Sequence, residues 1–223
     1  MDLTLLAPEL TLAVVASLVI LVDLFIPAGE KGLKQIPLYI SLAGIALSAA
    51  LSVGLIGRNA LSFGGLLVVD DFAVFFKLAF LLAAGLVALS ATGFLQRYSG
   101  IEGEFYGLIL FSTTGMMLMA STRELISIYL ALEITSISMY LLVGMARRDR
   151  KSSEAALKYL LLGALSSAVL LYGMALLYGL TGATDLEAIA MAIGGEITPA
   201  LLLAMSLLAA GFGFKIAAVP FHM

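Results

Sequence analysis

Apolar residues fall in long unbroken runs separated by short polar clusters. Runs of spanning length lie at about 3–26, 36–56, 72–95, 105–120, 123–145, 154–179 and from 199 to the end. At ~1.5 Å per helical residue, about 20 residues cross the ~30 Å hydrocarbon layer of a bilayer. Lipid offers the backbone no hydrogen bonds, so only helices or closed barrels can span it. These runs lack the alternation of barrel strands. The pattern predicts an all-α, polytopic transmembrane bundle of about seven helices. "MDLTLLAPEL" lacks a positive leader region and runs on into apolar sequence, so the first run reads as a retained helix. Two polar clusters, "STRE" (Ser121–Glu124) and "TDLE" (Thr184–Glu187), have capping-box spacing, which would make Glu124 and Glu187 ties for helix starts. The second opens a short helix, "LEAIAMAI", stopped by Gly194-Gly195 and expected at the membrane interface. Gly44/Ser48 and Gly163/Ser167, each pair four apart, mark close helix packing.

Composition sharpens this picture. The chain is 62% hydrophobic and 12% charged, with a mean hydropathy of +1.11. A soluble domain is roughly 45–50% apolar. There is no cysteine and a single histidine, His222. Iron–sulfur clusters and cysteine-ligated zinc therefore lack ligands, and a hydrolase lacks its base. No nucleotide-binding glycine motif occurs, and no nucleic-acid partner is expected. Basic residues are segregated. Lys31, Lys34, Arg97, Arg147, Arg148, Arg150 and Lys151 fall on one side, against Arg58 and Arg123 on the other. The positive-inside rule then puts the Arg147–Lys151 loop in the cytoplasm and the N-terminus outside.

The remaining lysines, Lys77, Lys158 and Lys215, lie within spans, as does Glu133. A charge at mid-bilayer costs about 2.5–3.5 kcal/mol on insertion scales, so each needs a partner, water or a task. Glu133 is ten residues into the fifth run. Tyr129, Ser136 and Tyr140 share its helix face, a polar stripe able to hydrate or hydrogen-bond a carboxylate. Two readings stand: a protonated glutamate joining helices, or an acid–base group. Lys158, in the sixth run, can snorkel to the interface or turn inward towards Glu133 through water. Lys77, six residues from Asp71, is read as snorkelling to the outer surface, and Asp23 as interfacial. Lys215 lies in "GFGFKIAAVPFHM", where Gly211, Gly213 and Pro220 predict a kinked or broken helix; Pro220 would clash with the carbonyl of Ile216. Broken membrane helices persist where freed carbonyls face protein or a hydrated cavity. Burial favours the neutral forms of acid and base, while proximity favours the charged ones, so a buried Glu/Lys constellation can pass protons. Glu133, Lys158 and Lys215 are the candidate relay.

"VDDFAVFFKLAFLLAA", "GEFYGLILFSTTGMMLMASTRELISIYLALEITSISMYLLVG", "SSEAALKYLLLGALSSAVLLYG" and "FKIAAVPFHM" resemble the antiporter-like N-subunit family of respiratory complex I, the proton-pumping NADH:quinone oxidoreductase. Mrp-type sodium/proton antiporter subunits share the pattern more loosely. The resemblance implies a 14-helix antiporter-like protein with two inverted repeats. Residues 1–104 would be an N-terminal three-helix segment and 105–223 an incomplete first repeat, the chain being a fragment. It also implies proton-channel roles for Glu133, Lys158 and Lys215. NADH, FMN, iron–sulfur clusters and quinone would belong to partner subunits, with no cofactor in this chain. The expected partners are other complex I membrane subunits, the lipid of the cell's inner membrane and, indirectly, the quinone system. A sodium/proton antiporter or membrane-hydrogenase subunit is the alternative within this class, and a structural scaffold without transport the alternative outside it.

Overall fold

The computed structural model describes residues 2–26, 33–95, 98, 100–195 and 197–221. Lys31, Arg97 and His222 lie outside the described residues. Long helices occupy all seven predicted runs: α1 (Ala7–Leu24), α2 (Ile36–Val53), α3 (Asp71–Ser90, extended by the single turn α4, Thr92–Leu95), α5 (Glu102–Ala120), α6 (Leu125–Val143), α7 (Arg150–Thr181) and, after the short α8 (Leu186–Ile193), α9 (Pro199–Lys215). Five of them are long and apolar enough to cross a membrane. The chain is a multi-pass membrane protein.

The ends are set by local chemistry. Pro8, Pro37 and Pro199 sit in first turns, where a missing N–H costs nothing. Asp70 caps α3 by accepting from the Ala73 N–H at 2.7 Å. The two capping boxes are formed differently from their sequence reading. Glu124 is itself the N-cap of α6, accepting from the Ser127 N–H at 2.7 Å, and Asp185 caps α8 through the N–H groups of Glu187 and Ala188. The register moves because Ser121 is taken up as the end of α5, where it donates to the Met117 carbonyl. Burial pushes the Glu124 carboxyl up, but hydrogen bonds from Ser127, Thr184 and Ile126 outweigh it and hold the group below its ordinary value. Left-handed Gly182 and Gly194 terminate α7 and α8.

A small antiparallel hairpin, β1 (Ala60–Ser62) with β2 (Leu67–Val69), has no counterpart in the sequence reading; Ala60 faces Val69 and Ser62 faces Leu67. It turns on Gly64 and Gly65, both at positive φ. Val68 N–H donates to the Ser121 carbonyl at 2.8 Å, which pins the hairpin across the end of α5. This hairpin end is where α1, α3, α6 and α9 begin and where α2, α5 and α7 finish; the 144–149 loop marks the opposite end.

Three apolar clusters form among the described residues, the smallest of Leu5, Leu55, Leu67, Val69 and Val74 at the hairpin end. Leu12, Ala16 and Val19 of α1 pack with Ile45, Leu81, Leu110 and Met117, and Leu125, Leu132, Leu170, Met174 and Ala204 join α6, α7 and α9. Glycine permits the closest approaches: a Cβ on Gly115 would collide with Thr135 Oγ1 and lie 2.7 Å from the Ala131 carbonyl of α6, and one on Gly44 would lie 2.5 Å from Val15. Large apolar residues such as Leu157, Leu161 and Leu165 face outwards, as a protein dissolved in lipid allows.

Gly115→Val should overpack the α5–α6 contact and lower stability by about 1–3 kcal/mol, read as a lower thermal midpoint in detergent micelles. Gly93→Ala, with nothing within 4 Å of the added methyl, should change it by less than about 0.5 kcal/mol. The Glu124 cap bond, made by the ionised form, should contribute above the ordinary carboxylate range and be lost as pH falls through the group's depressed pKa. Glu124→Ala should accordingly destabilise by about 1 kcal/mol at neutral pH and by much less in acid.

Candidate functional site

The polar stripe of α6 meets α7 and the end of α9 in the bundle interior. Glu133 is the ninth residue of α6, ~12 Å from its start, and Ser136 and Tyr140 follow on the same face at helical spacing. Lys215 Nζ lies 3.3 Å from Glu133 Oε1 and donates to Ser136 Oγ at 2.8 Å and to the Tyr140 hydroxyl at 3.2 Å. Ser167 Oγ, from α7, donates to the same Glu133 Oε1. One carboxylate oxygen therefore joins three helices. The Glu133 and Lys215 side chains are 20% and 10% exposed, enough for desolvation to make the pairing necessary.

Each arm has a local cause. α9 stops at Lys215: Ala217 takes a positive φ, and Ala218 N–H returns to the Gly213 carbonyl at 2.8 Å. The break falls five residues before Pro220, whose ring bars a helix from continuing past Ile216. Gly213 leaves room for the Phe221 ring, which would lie 2.6 Å from an added Cβ. Ser166 Oγ donates to the Gly211 carbonyl at 3.1 Å and braces α9 against α7. Gly163 lets Tyr140 reach inwards; a Cβ there would collide with the Tyr140 hydroxyl. The Gly163/Ser167 pair, read from sequence as packing alone, thus also shapes the site.

Two of the candidate residues stand apart. Tyr129 packs against the apolar cluster of α6, α7 and α9 and makes no hydrogen bond to Glu133 among the described residues. Lys158 is 69% exposed and bonds to Glu154 within α7 rather than turning towards Glu133. Nine residues separate Lys158 from Ser167, which at ~100° per residue is half a turn off the contact face and ~13.5 Å along the axis. Ala156 packs beside Gly144, past the end of α6, so Lys158 lies level with the last turn of α6, within snorkelling reach of the loop end.

Lys77 requires a correction. Its side chain is 0% exposed and lies 2.7 Å from Glu9 Oε1 of α1, itself 2% exposed, instead of reaching the surface. The sequence held one clue, an acidic Glu9 at the start of an otherwise apolar run.

Ser136, Ser167 and Tyr140 can each donate and accept a hydrogen bond. With a carboxylate and an ammonium among them, a proton can change places with little movement of heavy atoms. Among the described residues, no group of three or more His, Cys, Asp or Glu side chains could hold a metal ion.

Residues 122–223 match the family described as NADH:quinone oxidoreductase/Mrp antiporter, TM. The whole chain is 45% identical to NADH-quinone oxidoreductase subunit N of Trichlorobacter lovleyi, covering 46% of that protein, and 44% identical to that of Desulfitobacterium hafniense, covering 45% of it. The chain spans about half the length of the curated relatives it matches. Among solved structures, a chain of respiratory complex I from Thermus thermophilus with bound aureothin superposes with a TM-score of 0.76 at 38% identity, over 96% of this chain and 45% of that one. The membrane-bound sulfane sulfur reductase, an archaeal respiratory complex, shares the fold, with a TM-score of 0.81 at 20% identity over 99% of this chain and 46% of that one. The likeness to subunit N runs along the whole sequence, as the quoted motifs imply.

Lys215→Met should strand the Glu133 carboxylate and destabilise the bundle by up to about 3 kcal/mol, whereas Glu133→Gln/Lys215→Met should recover most of that loss. Unfolding of purified single and double variants in micelles measures the coupling.

Proposed function

We propose that this chain, related to subunit N along its whole length, acts in a proton-translocating membrane subunit of an NADH:quinone oxidoreductase. Electron transfer would take place on partner subunits carrying NADH, FMN, iron–sulfur clusters and quinone. The observation that carries this reading is the Glu133–Lys215 contact, an acid and a base sharing hydroxyl ligands inside an apolar bundle where α9 stops.

In this mechanism Lys215 holds a proton while the Glu133 charge is beside it. A shift of α6 or α7 that draws the carboxylate away leaves the ammonium without its counter-charge, and the proton moves through the Tyr140 or Ser136 hydroxyl. Motion back restores the pair. Because a stranded buried charge is costly, withdrawal of the carboxylate itself drives the transfer. Lys158 belongs to the relay as its outlying member. From its place level with the last turn of α6 it would collect protons near the loop end and pass them along α7 through water.

Charge placement supports the orientation. Among the described residues, Lys34, Arg147, Arg148, Arg150 and Lys151 belong to the loop end and Arg58 and Arg123 to the hairpin end, so the loop end would face the cytoplasm across the cell's inner membrane. Other membrane subunits of the complex and the surrounding lipid would cover the outward apolar faces.

Glu133→Gln should lower NADH-driven proton translocation by about tenfold or more while the complex remains assembled, measured by pH-dye quenching in membrane vesicles alongside a native gel. If the chain were only a scaffold, the assembled complex would pump normally with this substitution in place. Lys158→Met, which removes the outlying relay member and its pair with Glu154, should lower translocation by a smaller factor of about two in the same assay.

A further inference from the structure

Glu9 and Lys77 meet away from the Glu133 site, where α1, α3 and the end of α5 converge under the β-hairpin. Lys77 is the largest completely buried side chain among the described residues, and Glu9 is almost as deeply enclosed. Their 2.7 Å approach is close but poorly aligned as a hydrogen bond. Lys77 Nζ and Glu9 Oε2 both lack a hydrogen-bond partner among the described residues. Ser121 Oγ reaches Glu9 Oε1 at a long 3.5 Å and already donates to the Met117 carbonyl at 3.0 Å. At this end Leu5, Leu67 and Val69 pack with Val74, three residues before Lys77, and an Asp70–Arg123 pair spans 3.6 Å in the loops.

A buried ion pair that served only to join helices would be replaced at no loss by apolar residues of the same size, and would gain from satisfying every polar atom. This pair leaves an acceptor and a donor open side by side. Such groups in a native interior mark a bound water or a chemical role.

We propose that Glu9 and Lys77 form a second proton-holding site, separate from Glu133 and Lys215, in which an internal water bonded to Glu9 Oε2 and Lys77 Nζ delivers and removes protons. A proton arriving on the water passes to Glu9 Oε2 and gives a carboxylic acid beside the ammonium. Lys77 Nζ then releases a proton, leaving acid and amine. Return of the acid proton from Oε2 to Nζ through the same water restores carboxylate and ammonium, which stay paired through Oε1. One proton enters, one leaves, and no other reagent is consumed. This inference rests on the translocation reading of the protein.

Two variants in the assembled membrane complex test it. Glu9→Gln/Lys77→Met removes both charges together, and so avoids a stranded ion. Lys77→Arg keeps a cation that cannot give up its proton. Expected is a loss of NADH-driven proton translocation of about threefold or more in either variant that assembles to the normal level. Normal translocation in an assembled variant of either kind overturns the proposal, because a structural tie tolerates both. Glu133→Gln is measured in parallel. If it too leaves translocation unchanged, the translocation reading itself has failed; if it abolishes translocation while the Glu9 and Lys77 variants pump normally, only the second site is lost. A map of the complex at water-resolving detail should show density between Glu9 Oε2 and Lys77 Nζ.

Discussion

In a bundle surrounded by hydrocarbon, no buried charge can stand alone, and that constraint organises this protein. Among the described residues, both lysines enclosed inside the bundle are matched to a carboxylate on another helix, Lys215 to Glu133 and Lys77 to Glu9. The apolar packing between α1, α2, α3 and α5, and between α6, α7 and α9, gives contact but little direction, since lipid tails are as oily as leucine. Direction comes from polar atoms that must find each other and from glycines that let backbones close until they do. The same pairing that fixes the helices creates groups able to exchange protons.

The two pairs differ in how they are satisfied. Around Lys215 every partner is in place: a carboxylate, a serine and a tyrosine hydroxyl, with Ser167 steadying the carboxylate from the far side. Around Lys77 only the opposite charge is present among the described residues, and the side chain is fully buried. The first arrangement suits a switch whose alternatives are already built; the second needs water to complete it. Surface pairs such as Arg147–Glu104, 3.1 Å apart but widely exposed, add little stability and serve to mark the loop end.

Much of this was legible in the sequence. Seven apolar runs became seven long helices within a few residues, because the bilayer leaves few alternatives to a helix. The Glu133, Ser136 and Tyr140 stripe could be read from its spacing, and the stop at Lys215 from Gly213 and Pro220. What could not be read were contacts between distant segments. Glu9 and Lys77 lie 68 residues apart, and each by itself resembles a charge near a helix end. The facing of Lys158 depends on which sides of α7 meet α6 and α9, and that is settled by Gly163 against Tyr140 and by Ser166 and Leu170 against Gly211. The hairpin escaped notice because two three-residue strands carry too little alternation to register. Cap positions slipped because Ser121 could serve either the end of α5 or the start of α6, and tertiary contact chose the former.

Lys215 is the last residue of α9, and this has an electrostatic consequence. The carbonyls of a helix's final turn concentrate a partial negative charge worth about 0.3–1 kcal/mol to a nearby cation, and up to ~2 kcal/mol when partly buried. The ammonium therefore feels two fields of the same sign. One is built into the backbone and stays as long as the helix stops there. The other, from a side chain on a different helix, can be turned up or down by sliding one rod against its neighbour.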